Sequence, residues 1–288
     1  MQQVIDFSQK YCFFKALRPF SFSVALMTCG LGVTLAYKSG EGHLLRAILV
    51  MVTGVLLQAA VNLFNDYADL DFWQRQANPS ARQIIYQIRR NALCAVVLAV
   101  VACLLGLYLV SCTGWLLLLT GLFGVAGGYF YTAEPVNLKE RGLGLVAVFV
   151  FTGLLMVEGA YMAVAGVWSF RVLLLALPLS ILSSLMLLAN ELRDVEDDSR
   201  RRIKTFTVRW GFAMGRSLYL ILFLVLFVVV IWLTALDYIH ESIWFLPSVI
   251  CLYWPFRLLF GRQEDLSRLP PVTGRVFLVF GSGLMCAV

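Results

Sequence analysis

The chain is a series of long apolar runs separated by short polar stretches. Nine runs are continuously hydrophobic over roughly the 20 residues that a helix needs to cross a bilayer. They fall at about 17–37, 46–66, 92–111, 114–132, 143–166, 171–190, 217–236, 243–260 and 272–288. None shows the alternation expected of a barrel strand, so the pattern predicts helices. The expected fold is all-α: a polytopic membrane protein with nine transmembrane helices in one domain over residues 1–288.

Composition sharpens this picture by exclusion. Of the 288 residues, 60% are hydrophobic and 14% charged, and the mean hydropathy is +0.83. An ordinary soluble domain carries about 25% charged residues. A soluble enzyme and a disordered chain are therefore excluded. The net charge of +6 is no nucleic-acid footprint either, because the polar surface to support one is lacking. The seven cysteines form no CxxC pair and mostly lie in apolar runs, so they are expected to be small buried hydrophobes.

The scarce charges are sorted. All but three of the 23 Lys and Arg (the exceptions being Lys38, Arg46 and Arg171) fall on the N-terminal segment or in the loops that follow even-numbered spans. The positive-inside rule makes that face cytoplasmic, in an inner membrane of bacterial type. Asp66, Asp69, Asp71, Glu134, Glu140, Glu191, Asp194, Glu196, Asp197 and Asp198 lie on the same face.

These acids form two motifs. The second span ends in Asn65-Asp66-Tyr67-Ala68-Asp69-Leu70-Asp71, and the sixth in Asn190-Glu191-Leu192-Arg193-Asp194 through Asp198. On continuous helices the i, i+4 spacing places Asn65 and Asp69 on one face, and likewise Asn190, Asp194 and Asp198. Two such motifs suggest a duplicated architecture, with pseudo-repeated halves around a central cavity. Solvated helix ends with ordinary salt bridges are the plain alternative. The helix macrodipole, however, disfavours acids at a C-terminus, and stacked carboxylates at a membrane boundary call for a cation. Carboxylate and amide oxygens suit Mg²⁺, which bridges protein oxygens to phosphates. Asn65, Asp66, Asp69, Asn190, Asp194 and Asp198 are the candidate ligands, and Lys139, Arg193 and Lys204 can contact phosphate oxygens.

With these motifs the chain resembles the UbiA superfamily of intramembrane aromatic prenyltransferases. Arg18-Pro19 resembles the L-R-P opening, and residues 65–69 and 190–198 the two acidic motifs. Gly128 through Thr132 and Pro135, Leu138-Lys139-Glu140-Arg141-Gly142, and Lys204-Thr205-Phe206-Thr207-Val208-Arg209 are similar to the menaquinone-type branch, which contains 1,4-dihydroxy-2-naphthoate polyprenyltransferase. The sequence departs from the pattern at Trp73, where the superfamily commonly has Asp. It departs again at Gln76-Ala77-Asn78-Pro79-Ser80-Ala81-Arg82, where the branch has D-R-x-G-P-x-R.

The resemblance implies Mg²⁺-dependent transfer of a polyprenyl group from its diphosphate to a small aromatic acceptor in a lipid membrane, without nucleic acid. It implies that Asp69 and Asp194 are essential, that Arg18, Arg75 and Arg82 join the diphosphate-binding cations, and that Tyr131 shields an allylic cation. The acceptor is expected to be 1,4-dihydroxy-2-naphthoate, with 4-hydroxybenzoate and homogentisate as alternatives. A transporter would place its acids near the midplane, whereas both motifs lie at helix ends. Glu158, inside the fifth span, either faces the substrate chamber or is a structural hydrogen-bonder. Gly121, Gly124, Gly127 and Gly128 either pack helices or shape a tunnel.

Overall fold

A computed structural model describes residues 10–76 and 79–288. Among these, nine helices are long and apolar enough to span a membrane. They are α1 (Phe13–Lys38), α2 (Leu44–Gln74), α3 (Ser80–Thr113), α4 (Trp115–Thr132), α5 (Gly144–Ala165), α6 (Phe170–Arg200), α7 (Phe212–Ala235), α8 (Ser242–Leu259) and α9 (Glu264–Ala287). The expected all-α architecture and all nine spans are present.

The bundle is built around α6. Its Leu175, Leu179, Leu182, Leu185, Leu188 and Leu192 recur every three or four residues, and all are fully buried. Against α6 pack α5, α7 and α9, and α1 fills the space between α5 and α9. Close approach depends on missing side chains. A Cβ on Gly32 would lie 2.4 Å from the Val157 carbonyl oxygen, so α1 and α5 meet backbone to backbone. On the outside, α4 buries only 6% of its apolar stretch, against 78% for α6. Exposed Trp115, Leu119, Leu122 and Phe123 on α4 form surface suited to lipid rather than water.

Several helices run further than the apolar runs alone predict, α3 and α6 furthest at one end. α3 begins about a dozen residues before the expected span. Its added turns carry an apolar stripe, Ala81, Ile84 and Ile88, each at most 1% exposed, which covers Tyr11, Leu70 and Trp73. α6 continues ten residues past Asn190, supported in its last turns by Arg200 beside Glu196 and Asp197. The macrodipole penalty therefore falls on Asp197 and Asp198, and Asp194 lies clear of the last turn.

The three cations away from the motif end have structural partners. Arg46 donates to the carbonyls of Val164 and Cys112 (both 3.3 Å), capping the last turns of α5 and α3. Lys38 bonds the carbonyl of Val288, and Arg171 stacks on Tyr238 with its guanidinium carbon 5.0 Å from the ring centre. The cysteines correct the sequence expectation: Cys29 is buried, but Cys12, Cys103, Cys112 and Cys286 are exposed, and all seven are free thiols. Thiols at the surface of α3 and α9 sit where the surroundings are apolar, so exposure there does not conflict with their chemistry.

Candidate active site

The first motif does not keep the regular helix that its spacing implies. The α-helical part of α2 ends at Asn65, Asp66–Asp69 form a 3₁₀ turn, and α-geometry resumes at Leu70. A 3₁₀ turn advances each residue by more than an α-turn does, so over four residues Asp69 swings by roughly 80°. Asn65 and Asp69 thus do not share one face. Asn65 Oδ1 accepts from Lys139 Nζ at 3.3 Å, whereas Asp69 faces the N-terminal segment and the end of α6.

Asp66 and Asp69 are nearly buried, at 1% and 9% exposure, and each is matched by cations. Arg18 reaches Asp66 Oδ1 at 2.9 Å. Arg18 is held in the left-handed region (φ 49). Asn62 fixes its approach, with Nδ2 donating to the Leu17 carbonyl and to Ser21 Oγ, both at 2.7 Å. Asp69 Oδ2 accepts from Tyr11 Oη at 2.7 Å and Arg201 Nη1 at 2.6 Å, with Lys10 Nζ at 3.5 Å. Trp73 Nε1 donates to Tyr11 Oη at 2.9 Å. Burial, and after it the Asp69 charge, push the Tyr11 phenol well above its usual range, so it donates a proton without ionising. For Arg201, burial works to lower the guanidinium. The Asp69 charge, Tyr11 and the hydrogen bonds to both together outweigh burial and hold Arg201 above the ordinary arginine range.

The second motif stays α-helical, and Asn190, Asp194 and Asp198 share one face of α6 as expected. Arg193 clamps its neighbour Asp194 through two bonds, Nε to Oδ1 at 2.7 Å and Nη2 to Oδ2 at 2.6 Å. Asn190 donates to the Met186 carbonyl. Glu191 points elsewhere: its Oε2 accepts from Thr207 N–H, and Thr207 Oγ1 returns a bond to the Glu191 carbonyl. This carboxylate caps the short helix Phe206–Trp210. Arg209, from that helix, donates to the carbonyls of Glu140 (2.6 and 3.0 Å) and Lys204 (3.0 Å). The loop bearing Lys139 is thereby tied to the loop after α6. Tyr131 lies beside this junction. Its hydroxyl and Glu191 Oε1 both approach the space that a side chain on Gly144 would fill.

Arg18, Asn65, Asp66, Asp69, Lys139 and Arg201 thus join α1, α2, the loop after α4 and the end of α6. Other expected residues are not part of this cluster. Arg75, Arg82 and Lys204 are exposed and make no side-chain contact to either motif among the described residues. Ala77 and Asn78, in the departing stretch, lie outside the described residues. Glu158 is 1% exposed and accepts from the Ser169 N–H at 2.8 Å, at the start of α6. At 1.5 Å per residue, Ser169 is about 30 Å along α6 from Asn190. Glu158 therefore serves as an N-terminal cap for α6 at the end opposite the motifs, while its Oε2 is buried without a partner. Of the four α4 glycines, only Gly127 packs, against Phe151; Gly121, Gly124 and Gly128 have open space around them. Tyr11, Trp73, Arg201 and Glu191 are partners that motif reading missed. A signal for the first two existed in the Ala81, Ile84, Ile88 stripe, which needed something apolar to cover.

Among the described residues no three His, Cys, Asp or Glu side chains converge as a closed metal cage. The donor set nevertheless fits a hard divalent cation. Asp66 Oδ2 and Asn190 Oδ1 are buried acceptors without a partner, and among the described residues Asp69 Oδ1 receives no hydrogen bond. Oxygens offered from few carboxylates suit Mg²⁺, which keeps waters and takes further ligands from substrate phosphates.

A family model described as the UbiA prenyltransferase family matches residues 25–279. The chain is 33% identical over 178 residues to the 1,4-dihydroxy-2-naphthoate octaprenyltransferase of Mycobacterium leprae (strain TN), covering 60% of both chains. It is 26% identical over 199 residues to the protein of that name from Bacillus subtilis (strain 168), covering 67% of this chain and 64% of that one. The matched region therefore spans less than two thirds of the length of either relative. The UbiA prenyltransferase domain-containing protein 1 of Gallus gallus is 29% identical over 275 residues, covering 92% of this chain and 81% of its own. Among solved structures, a UbiA homolog from Archaeoglobus fulgidus bound to GPP and Mg²⁺ has a TM-score of 0.62 at 15% identity, covering 96% of this chain and 99% of that one. A digeranylgeranylglyceryl phosphate synthase has a TM-score of 0.57 at 14% identity, covering 97% of both chains. The structural likenesses are likenesses of fold.

Proposed function

Because the chain belongs to the UbiA prenyltransferase family, we propose that it transfers a prenyl group from a prenyl diphosphate to an aromatic acceptor. The observation that carries this reading is the convergence of the two acidic motifs: Arg201, just past the second, binds Asp69 of the first, and Lys139 reaches Asn65 beside it. The favoured acceptor is 1,4-dihydroxy-2-naphthoate, supported by the names of the bacterial relatives. The charge asymmetry supports an orientation with this end cytoplasmic.

Asn65, Asp66, Asp69, Asn190, Asp194 and Asp198 would hold Mg²⁺. When bound, the ion supplies charge neutralisation for the diphosphate. In this reading Lys139, Arg18 and Arg193 face the leaving group and stabilise the negative charge it gains as the allylic C–O bond breaks. Tyr131 offers π density to the allylic cation. A ring carbon of the acceptor then forms the new C–C bond, and the ring loses a proton, or its carboxylate as CO₂ in the naphthoate case. Lipid-facing α4 and α3 leave the isoprenoid tail in apolar surroundings throughout.

The test is product analysis with purified protein in lipid, Mg²⁺, a labelled prenyl diphosphate and a panel of naphthoate, 4-hydroxybenzoate and homogentisate. A prenylated naphthoate is the expected product. No product with any of the three overturns the reading.

A further inference from the structure

Asp69 is held by a constructed support. Tyr11 has no exposed surface and Trp73 is 6% exposed. Both belong to a small core with Leu70, Ala81, Ile84 and Ile88, separate from the main one. The two rings meet edge to face, 6.0 Å between centres at 87°. Asn91 anchors the Tyr11 backbone from α3, donating to its carbonyl at 2.9 Å. Tyr11 Oη is saturated: it accepts from Trp73 Nε1 (2.9 Å) and Arg201 Nη1 (3.2 Å) and donates to Asp69 Oδ2 (2.7 Å). Arg201 is positioned in turn by stacking on Phe72, 5.4 Å from the ring centre, and by its own 2.6 Å bond to Asp69 Oδ2. Every donor converges on Oδ2, and none of the described residues donates to Oδ1.

A carboxylate with one oxygen fixed by a rigid aromatic support and the other left open is oriented as a ligand. Side chains that fix a ligating group in this way raise its affinity for metal without touching the ion. The Ala81, Ile84, Ile88 stripe keeps water from competing for the Tyr11 hydroxyl, and a low local dielectric strengthens the chain of bonds.

We propose that Tyr11 and Trp73 are positioning residues for Asp69, linked in the order Trp73 to Tyr11 to Asp69 Oδ2, and that they set the affinity of the first motif for the divalent ion accompanying the prenyl diphosphate. The inference rests on the transferase reading above.

The test measures binding of a non-ionising prenyl thiolodiphosphate to the full-length protein in detergent as Mg²⁺ is varied, with thermal stability followed in parallel. Tyr11→Phe keeps the ring and removes only the hydroxyl. Its Mg²⁺ half-saturation is expected to rise about 10-fold. At saturating Mg²⁺, analogue affinity and kcat return close to the unsubstituted values, a split that a general loss of structure does not produce. Trp73→Phe shifts half-saturation in the same direction by a smaller factor, and it decides the question if Tyr11→Phe does not fold. Unchanged Mg²⁺ half-saturation in a folded variant overturns the proposal. Failure of the unsubstituted protein to bind the analogue at any Mg²⁺ concentration overturns the transferase reading and this inference with it.

Discussion

Arg201 Nη1 and Asp69 Oδ2 lie 2.6 Å apart, although 132 residues separate them along the chain. The two side chains are 6% and 11% exposed, so this is a buried ion pair. It closes the distance between the end of α6 and the 3₁₀ turn of α2, and so sets the relation between the motifs. Removing one member of a buried pair leaves the other charge uncompensated, at about 3–5 kcal/mol. Arg201→Ala is therefore expected to lower thermal stability and prenyl diphosphate affinity together. Arg201→Lys keeps the charge but loses the planar fork, and is expected to recover only part of each. Thermal denaturation in detergent and analogue binding measure the two effects.

Asp69→Ala removes both carboxylate oxygens from the first motif, and Asp194→Asn replaces one oxygen and the charge of the second with a neutral amide. Each is expected to lower Mg²⁺-dependent turnover at least about 100-fold, the scale on which loss of charge stabilisation acts. Steady-state kinetics with the naphthoate acceptor check this. Wild-type turnover in both variants would discard the metal reading.

Glu158 separates a cap from a catalyst. Glu158→Gln retains an acceptor for the Ser169 N–H, so kcat and acceptor KM are expected to stay unchanged. Glu158→Leu leaves that N–H without its partner, and a buried unsatisfied donor costs about 1–3 kcal/mol. The melting temperature is expected to fall for Leu and hold for Gln. A large fall in kcat for Gln would return Glu158 to the reaction.

Gly32→Val tests the α1–α5 contact. Its Cβ would stand 2.4 Å from the Val157 carbonyl oxygen, with Ala160 Cβ at 2.8 Å, and neither is a side-chain tip that can move aside. The variant is expected to aggregate or elute early in size-exclusion chromatography. Gly124→Val, with nothing within 4 Å of its Cβ, is the matched control and is expected to elute like the unsubstituted protein.

Much of the site was legible because it rests on residue type and local spacing. Asn190, Asp194 and Asp198 share a face because α6 is continuous, so counting by four sufficed. The same counting failed at Asn65 and Asp69 because a single 3₁₀ turn intervenes. Nothing in Asp66-Tyr67-Ala68-Asp69 demands that turn, whereas partners for Asp69 on Tyr11 and Arg201 reward it. Arg75 and Arg82 are close to the first motif in sequence, yet both are exposed and contact neither motif among the described residues.

Hydrophobic run length alone determined the nine spans, because a membrane helix must satisfy its backbone internally over a fixed thickness. Charge sorting marked one end of the bundle as the chemical end, because few polar residues were available to place elsewhere. Which cation meets which carboxylate was decided only by tertiary structure. Ion pairs form between side chains brought together by packing, and the contacts from Tyr11 and Arg201 to Asp69 span 58 and 132 residues that no local pattern bridges.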